Sequence, residues 1–223
     1  MARIYFNIFP KEKLLFVLKN KRTDITAFIL SGGKSSRIGT NKALLQVEGK
    51  PLIQRLVDLL DPIFSEVVIS SNEPDLYNFT GKKIVQDIYL ARGPLAGIHS
   101  ILKFTNTKMN FIISCDLPLI STELINYIVN YETVKDIILP VADGRIQQTC
   151  GLYSKNILNE VEKLLIESHQ KNSKLKGSIY ELMDRVPIEI VEVVKFDFYS
   201  PDLFLNINTP EDYNYLKSIF ENK

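Results

Sequence analysis

The junction at residues 25–42 constrains this chain more than any other feature. The apolar run Ile25-Thr26-Ala27-Phe28-Ile29-Leu30 empties directly into Ser31-Gly32-Gly33-Lys34-Ser35-Ser36-Arg37-Ile38-Gly39-Thr40-Asn41-Lys42. A near-continuous apolar run of this length suits a strand covered on both faces. Three glycines let backbone N–H groups turn toward a ligand, and Lys34, Arg37 and Lys42 add positive charge, which is what a polyphosphate requires of a protein. The loop is not a Walker A motif, because the earlier glycine would fall at Phe28. It is not a dinucleotide fingerprint either, since it contains no Gly-x-Gly.

Beyond this loop, short apolar runs alternate with helical patterns. Strands are predicted at 66–71, 83–86, 110–114, 137–141, 146–153 and 188–193. Helices are predicted at 51–60, 94–104, 121–131, 157–168, 178–184 and 209–221. Leu52, Ile53, Leu56, Val57 and Leu60 share one face of the first, which Pro51 is suited to open. Thr209, Pro210 and Asp212 supply an N-cap, a proline at N1 and an acid at N3 for the last. Such alternation implies an α/β fold with a mostly parallel sheet and helices on both faces. Ligands of such sheets bind beyond the carboxyl ends of the strands.

Composition narrows the class. With 223 residues, 45% hydrophobic and 24% charged, the chain can bury a core without metal or disulfide. No apolar run reaches the ~18–20 residues of a membrane span. A net charge of +1 offers no field for nucleic acid or an anionic membrane. Cys115 and Cys150 form neither a CxxC pair nor a disulfide framework, so a cytoplasmic enzyme is expected. Residues 1–24 stand apart as an N-terminal extension, with six Lys/Arg against two acids. Its apolar stretches at 4–9 and 14–18 are too short for a signal peptide and could pair as a hairpin. The domain proper is read as 25–223.

Two aspartates follow strands. Asp116, after the strand at 110–114, could hold Mg²⁺ against phosphates, or satisfy the turn at Leu117-Pro118. Asp87, after 83–86, stands equivalently. A cationic loop with two acidic strand ends suits a triphosphate with its metal. His99 and His169 are read as structural or exposed, and Cys115 as a small buried residue without a histidine to activate it.

The segment from Leu30 to Lys42 resembles the signature of small nucleotidyltransferases, and most of all that of the molybdenum cofactor guanylyltransferases. The similarity continues in family order through Gly49-Lys50-Pro51-Leu52, Gly93-Pro94-Leu95-Ala96-Gly97-Ile98, Cys115-Asp116-Leu117-Pro118 and Asn206-Ile207-Asn208-Thr209-Pro210-Glu211-Asp212. The resemblance implies a single Rossmann-like nucleotidyltransferase domain. It implies transfer of GMP from GTP to the phosphate of molybdenum-bound molybdopterin, with pyrophosphate leaving and Mg²⁺ as cofactor. It further implies that Leu30, Ser31, Gly32 and Gly33 contact GTP through their backbone, and that Arg37 and Lys42 face its phosphates. Asn72 and Asp87 match GTP-contacting positions, Asp116 matches the Mg²⁺ ligand, and Asn206 and Asn208 match the acceptor motif. Transient contact with proteins of cofactor biosynthesis would follow. Arg145-Ile146-Gln147-Gln148-Thr149-Cys150-Gly151 departs from the family, whose members commonly carry a proline there. The rival readings are a CMP-transferring sister enzyme, acting on the same cofactor or on a sugar or polyol phosphate, and a non-catalytic nucleotide-binding module.

Overall fold

The computed structural model describes residues 20–32 and 41–221. The expected hairpin at 4–18 lies outside these residues. So do Gly33, Lys34 and Arg37 of the loop. Arg22, at the end of the basic extension, already belongs to the packed structure. Its amide donates to the Ile63 carbonyl, and its guanidinium donates to the Val129 carbonyl and Asn130 Oδ1.

The strands are β1 (Ile25–Leu30), β2 (Gln46–Val47), β3 (Lys50–Pro51), β4 (Val67–Ser70), β5 (Lys83–Val85), β6 (Met109–Ser114), β7 (Ile137–Ala142), β8 (Arg145–Ile146), β9 (Cys150–Ser154) and β10 (Ile188–Glu192). The helices are α1 (Leu52–Leu60), α2 (Gly93–Phe104), α3 (Thr122–Val129), α4 (Leu158–Glu167), α5 (Ile179–Met183) and α6 (Pro210–Glu221). The main sheet runs β10-β7-β9-β6-β1-β4-β5, with β8 paired to β7. Strands β5, β4, β1 and β6 are mutually parallel, and β9 is the antiparallel insertion between β6 and β7. The mostly parallel α/β sheet expected from the sequence is therefore observed.

Its apolar runs face both ways because alternate residues of a strand point to opposite faces. Ala27 and Ile29 of β1, with Phe111 and Ile113 of β6, pack under α1 and α3. Phe28, Leu30 and Ile112 face α2, α4 and α5. All five residues expected to line α1 are buried. Helix starts follow their caps. Ser121 accepts from the Leu124 amide, and Ser178 and Glu181 form a reciprocal capping box before α5.

Three details differ from the sequence reading. Pro51 is extended and pairs with Gln46, so α1 opens one residue later, with Pro51 as its cap. The strand expected at 146–153 is two strands, because polar Gln147-Gln148-Thr149 breaks the apolar run between β8 and β9. Two hairpins escaped the periodicity argument, since each flanking strand has too few residues to show one. Glu48-Gly49 joins β2 to β3, and Asp143-Gly144 joins β7 to β8. Both residues of each turn have positive φ (51° and 72°; 50° and 72°), which suits a final glycine.

Candidate functional site

From β1 the chain moves to β4 and β5 on one side, then crosses back through α2 to β6 on the other. The reversal falls between β1 and β6, where the carboxyl ends of an open α/β sheet leave a crevice. Leu30-Ser31-Gly32 and Cys115-Asp116 are the residues that emerge there. Asn72 and Asp87 emerge two positions after β4 and β5. Three strand spacings separate β5 from β6, about 14 Å, a span suited to an extended nucleotide.

At the β5 end, Asn72 and Asp87 grip one another. Asn72 Nδ2 donates to Asp87 Oδ2 at 2.9 Å, and the Asp87 amide donates back to Asn72 Oδ1 at 2.9 Å. The other carboxylate oxygen faces Gly97. A Cβ on Gly97 would lie 3.6 Å from Asp87 Oδ1, 3.5 Å from Ser70 Oγ and only 2.9 Å from Leu30 Cδ2. Glycine therefore lets the first turns of α2 close against the β1 end.

At the centre, several backbone groups are already committed. The Leu30 carbonyl accepts from the Cys115 amide at 2.9 Å, and the Ser31 amide donates to the Ser70 carbonyl at 2.8 Å. Gly32 is exposed. Ser31 Oγ and Asn41 Nδ2 both donate to the hydroxyl of fully buried Tyr77, at 2.7 and 2.9 Å. The Asn41 side chain also accepts from the Ala43 amide, capping the short turn Lys42–Leu44. Ser31 and Asn41 are thus tied to one tyrosine.

At the β6 end, Asp116 is half-buried, and its Oδ1 is buried without a hydrogen-bond partner among the described residues. Its carbonyl accepts from the Ile207 amide at 3.0 Å. Lys42 Nζ donates to Asn208 Oδ1 at 2.7 Å. The loop before α6 therefore touches both Asp116 and Lys42. Asn208 and Asn206 are exposed on that loop. Burial, aided by the neighbouring Asp116 carboxylate, pushes the Cys115 thiol up to about 12, which keeps it from acting as a nucleophile near neutral pH. His99 is wholly buried on α2 and His169 is exposed. Neither stands among the strand-end residues.

The structure thus brings Leu30, Ser31, Gly32, Lys42, Asn72, Asp87, Asp116 and Asn208 to one sheet edge. Gly33 and Arg37 lie outside the described residues. Sequence reasoning assigned no role to Tyr77 or Gly97. Tyr77 sits in an irregular 3-10 segment, Pro74–Thr80, without periodicity, and Gly97 lay inside a quoted motif whose packing reason is three-dimensional.

Sheet order, switch point and cation-and-carboxylate edge together define a nucleotidyltransferase fold. The profile of the MobA-like NTP transferase domain matches residues 27–183, and the chain belongs to that family. It is 35% identical over 189 residues to a protein of Clostridium perfringens (strain SM101 / Type A) named "Probable molybdenum cofactor guanylyltransferase", covering 84% of this chain and 93% of that one. A protein of Carboxydothermus hydrogenoformans with the same name is 35% identical over 202 residues, covering 90% and 98%. The crystal structure of molybdopterin-guanine dinucleotide biosynthesis protein A from Archaeoglobus fulgidus superposes with a TM-score of 0.74 at 21% identity, over 89% of this chain and all of that one.

Proposed function

We propose that this chain transfers GMP from GTP to the phosphate of molybdenum-bound molybdopterin, releasing pyrophosphate. The observation that carries the reading is the meeting of Lys42, Asp116 and the 206–208 loop at the switch point of a MobA-like fold. The relatives named for this activity cover most of the chain, which supports the choice of substrates.

In this reading an oxygen of the acceptor phosphate attacks the α-phosphorus of GTP, and the bond to the pyrophosphate oxygen breaks. Two anions meet, so the protein's task is alignment and charge neutralisation rather than covalent chemistry. Lys42 faces the phosphates, and the resemblance gives Arg37 the same role. The Asn72–Asp87 pair takes the nucleoside end, where a carboxylate can accept N–H or O–H donors without opposing phosphate charge. Asn206 and Asn208 face the acceptor.

Asp116 suits a hard cation, because its Oδ1 is buried and lacks a partner among the described residues. Among the described residues, no group of three or more His, Cys, Asp or Glu side chains could hold a metal by itself. One carboxylate with phosphate and water oxygens is the usual setting for Mg²⁺. Asp116 would hold that Mg²⁺, which would supply charge neutralisation to the phosphates. No helix among the described residues is long and apolar enough to cross a membrane, and both cysteines are buried free thiols, in keeping with a cytoplasmic enzyme.

The test is the melting temperature with GTP, CTP, ATP or NAD, each with and without Mg²⁺. A ligand at 100 times its Kd adds about 2.7 kcal/mol. For a chain of this size that is a rise of roughly 5–11 °C. A Mg²⁺-dependent rise with GTP alone is expected. A rise with CTP instead would keep the mechanism and change the base, and no rise with any triphosphate would overturn the reading.

A further inference from the structure

Asp212 reads from sequence as the N3 acid of the last helix, and two of the three hydrogen bonds at its amide and carboxylate fit that description. The Asp212 amide donates to Thr209 Oγ1 at 3.2 Å, and Asp212 Oδ2 accepts from the Thr209 amide at 2.8 Å. These reciprocal bonds close a capping box on α6. The same Oδ2 accepts a second bond, from the amide of Asn208, at 2.8 Å. Residue 208 lies before the cap, so this bond satisfies no donor of the helix. What it does is hold the backbone whose side chain receives Lys42 Nζ at 2.7 Å.

The neighbouring contacts make the arrangement stiff. Ile207 is wholly buried against Val47, Leu52 and Leu216, and its amide donates to the Asp116 carbonyl. Tyr213, one residue after Asp212, donates its hydroxyl to the Gln46 carbonyl at 2.6 Å. On the far side of Lys42, Asn41 is tied to Tyr77 and through it to Ser31. The lysine is thus anchored behind to the β1 end and met in front by Asn208. Hydrogen bonds from the Asn208 and Thr209 amides, together with the positive charge of Lys42, hold the Asp212 carboxyl below its usual range. It is therefore ionised at neutral pH.

We propose that Asp212 is a positioning residue for nucleotidyl transfer, acting through Asn208 on the ammonium of Lys42. The inference rests on the phosphate-facing role of Lys42 given above. It makes the start of α6 part of the nucleotide machinery as well as of the acceptor loop, so the two substrates meet across one hydrogen-bonded chain.

The experiment is a double-mutant cycle, read as kcat for pyrophosphate release with GTP and the molybdenum cofactor. Alone, Asp212→Ala is expected to lower kcat about tenfold, as loss of an interaction that matters in the transition state. In an Asn208→Ala background, which keeps the amide but removes the carboxamide, Asp212→Ala should cost nothing further, because contacting residues in one network are non-additive. The melting temperature should fall equally in both backgrounds, reporting the cap alone. An equal fall in kcat in both backgrounds, or none in either, would overturn the proposal. If Asp212→Ala does not fold, Asp212→Ser, whose shorter side chain cannot accept from the Asn208 and Thr209 amides together, enters the same cycle under the same criterion. Lys42→Ala separates the two levels. Unchanged kcat there would remove the role of Lys42 itself, whereas a slow Lys42→Ala beside additive Asn208→Ala and Asp212→Ala would remove only the relay.

Discussion

On one side of the crevice, Leu30, Ser31, Asn72, Asp87 and Asp116 stand at or just past the ends of four hydrogen-bonded parallel strands. On the other, Asn206, Asn208 and Asp212 stand on a loop and a helix whose buried contact is a small cluster: Val47, Leu52, Ile207 and Leu216. The first side inherits its geometry from sheet register, and large clusters cover both faces of that sheet. The second relies on a few apolar contacts and on single hydrogen bonds such as Ile207 to Asp116. The loop side is therefore the one that a single substitution should loosen first.

The comparison can be broken at three points. The largest effect is expected from Asp116→Asn on the sheet side. Removing the charge should lower the transfer rate by roughly 10²–10³. Excess Mg²⁺ should restore only part of that loss in a steady-state assay. Full activity would mean that the carboxylate merely closes the turn at Leu117-Pro118.

Next comes Leu216→Ala, which should cost about 2–4 kcal/mol in denaturant unfolding, as the loss of a fully buried leucine. If the two sides are separable, KM for the acceptor rises while the GTP-induced melting shift is kept. Equal losses at both substrates would show that the halves act as one body.

The smallest effect is a pH dependence that also divides the molecule. Burial holds His99 on α2 below the usual histidine range, against the opposing pull of Glu162, whose Oε1 lies 3.5 Å from Nε2, while Lys103 reinforces the lowering. The unfolded chain then takes up a proton below about pH 6.5 that the folded chain refuses. Stability from this group is complete above that pH and is lost as pH falls toward the lowered folded value. Asp212 and Asp24 are also lowered, by the Asn208 and Thr209 amides and by Arg22 respectively, so their contributions are present above about pH 4 and are lost below it. Between pH 7 and 5 the melting temperature should therefore fall through His99, and His99→Gln should flatten that slope. An unchanged slope in the variant would assign it elsewhere.

The fold was largely legible because its signals are local. The run at 25–30, the stripe of Leu52, Ile53, Leu56, Val57 and Leu60, and the cap at Thr209, Pro210 and Asp212 each lie within a few residues of one another. The strand ends were legible as places where chemistry would sit, which brought Asp87 and Asp116 forward. Asn72 came from resemblance, and its reciprocal bonds to Asp87 were not readable from spacing. Tyr77 gave no signal, because a tyrosine in an irregular segment looks alike whether it is solvated or braces two loop ends. Gly97 needed the distance to Leu30 before its lack of a side chain acquired a reason.

By itself the sequence determined the alternation of strand and helix, the polarity of the crevice and the residue types available to meet a triphosphate. Periodicity, capping and turn chemistry depend on neighbours along the chain, so they survive without the fold. Only the tertiary structure decided that Lys42 meets Asn208 across 166 residues, and that the acid capping the last helix also accepts from the Asn208 amide. Hydrogen bonds act over about 3 Å, and which groups come that close is set by the stacking of whole elements on the sheet rather than by any pattern in the chain.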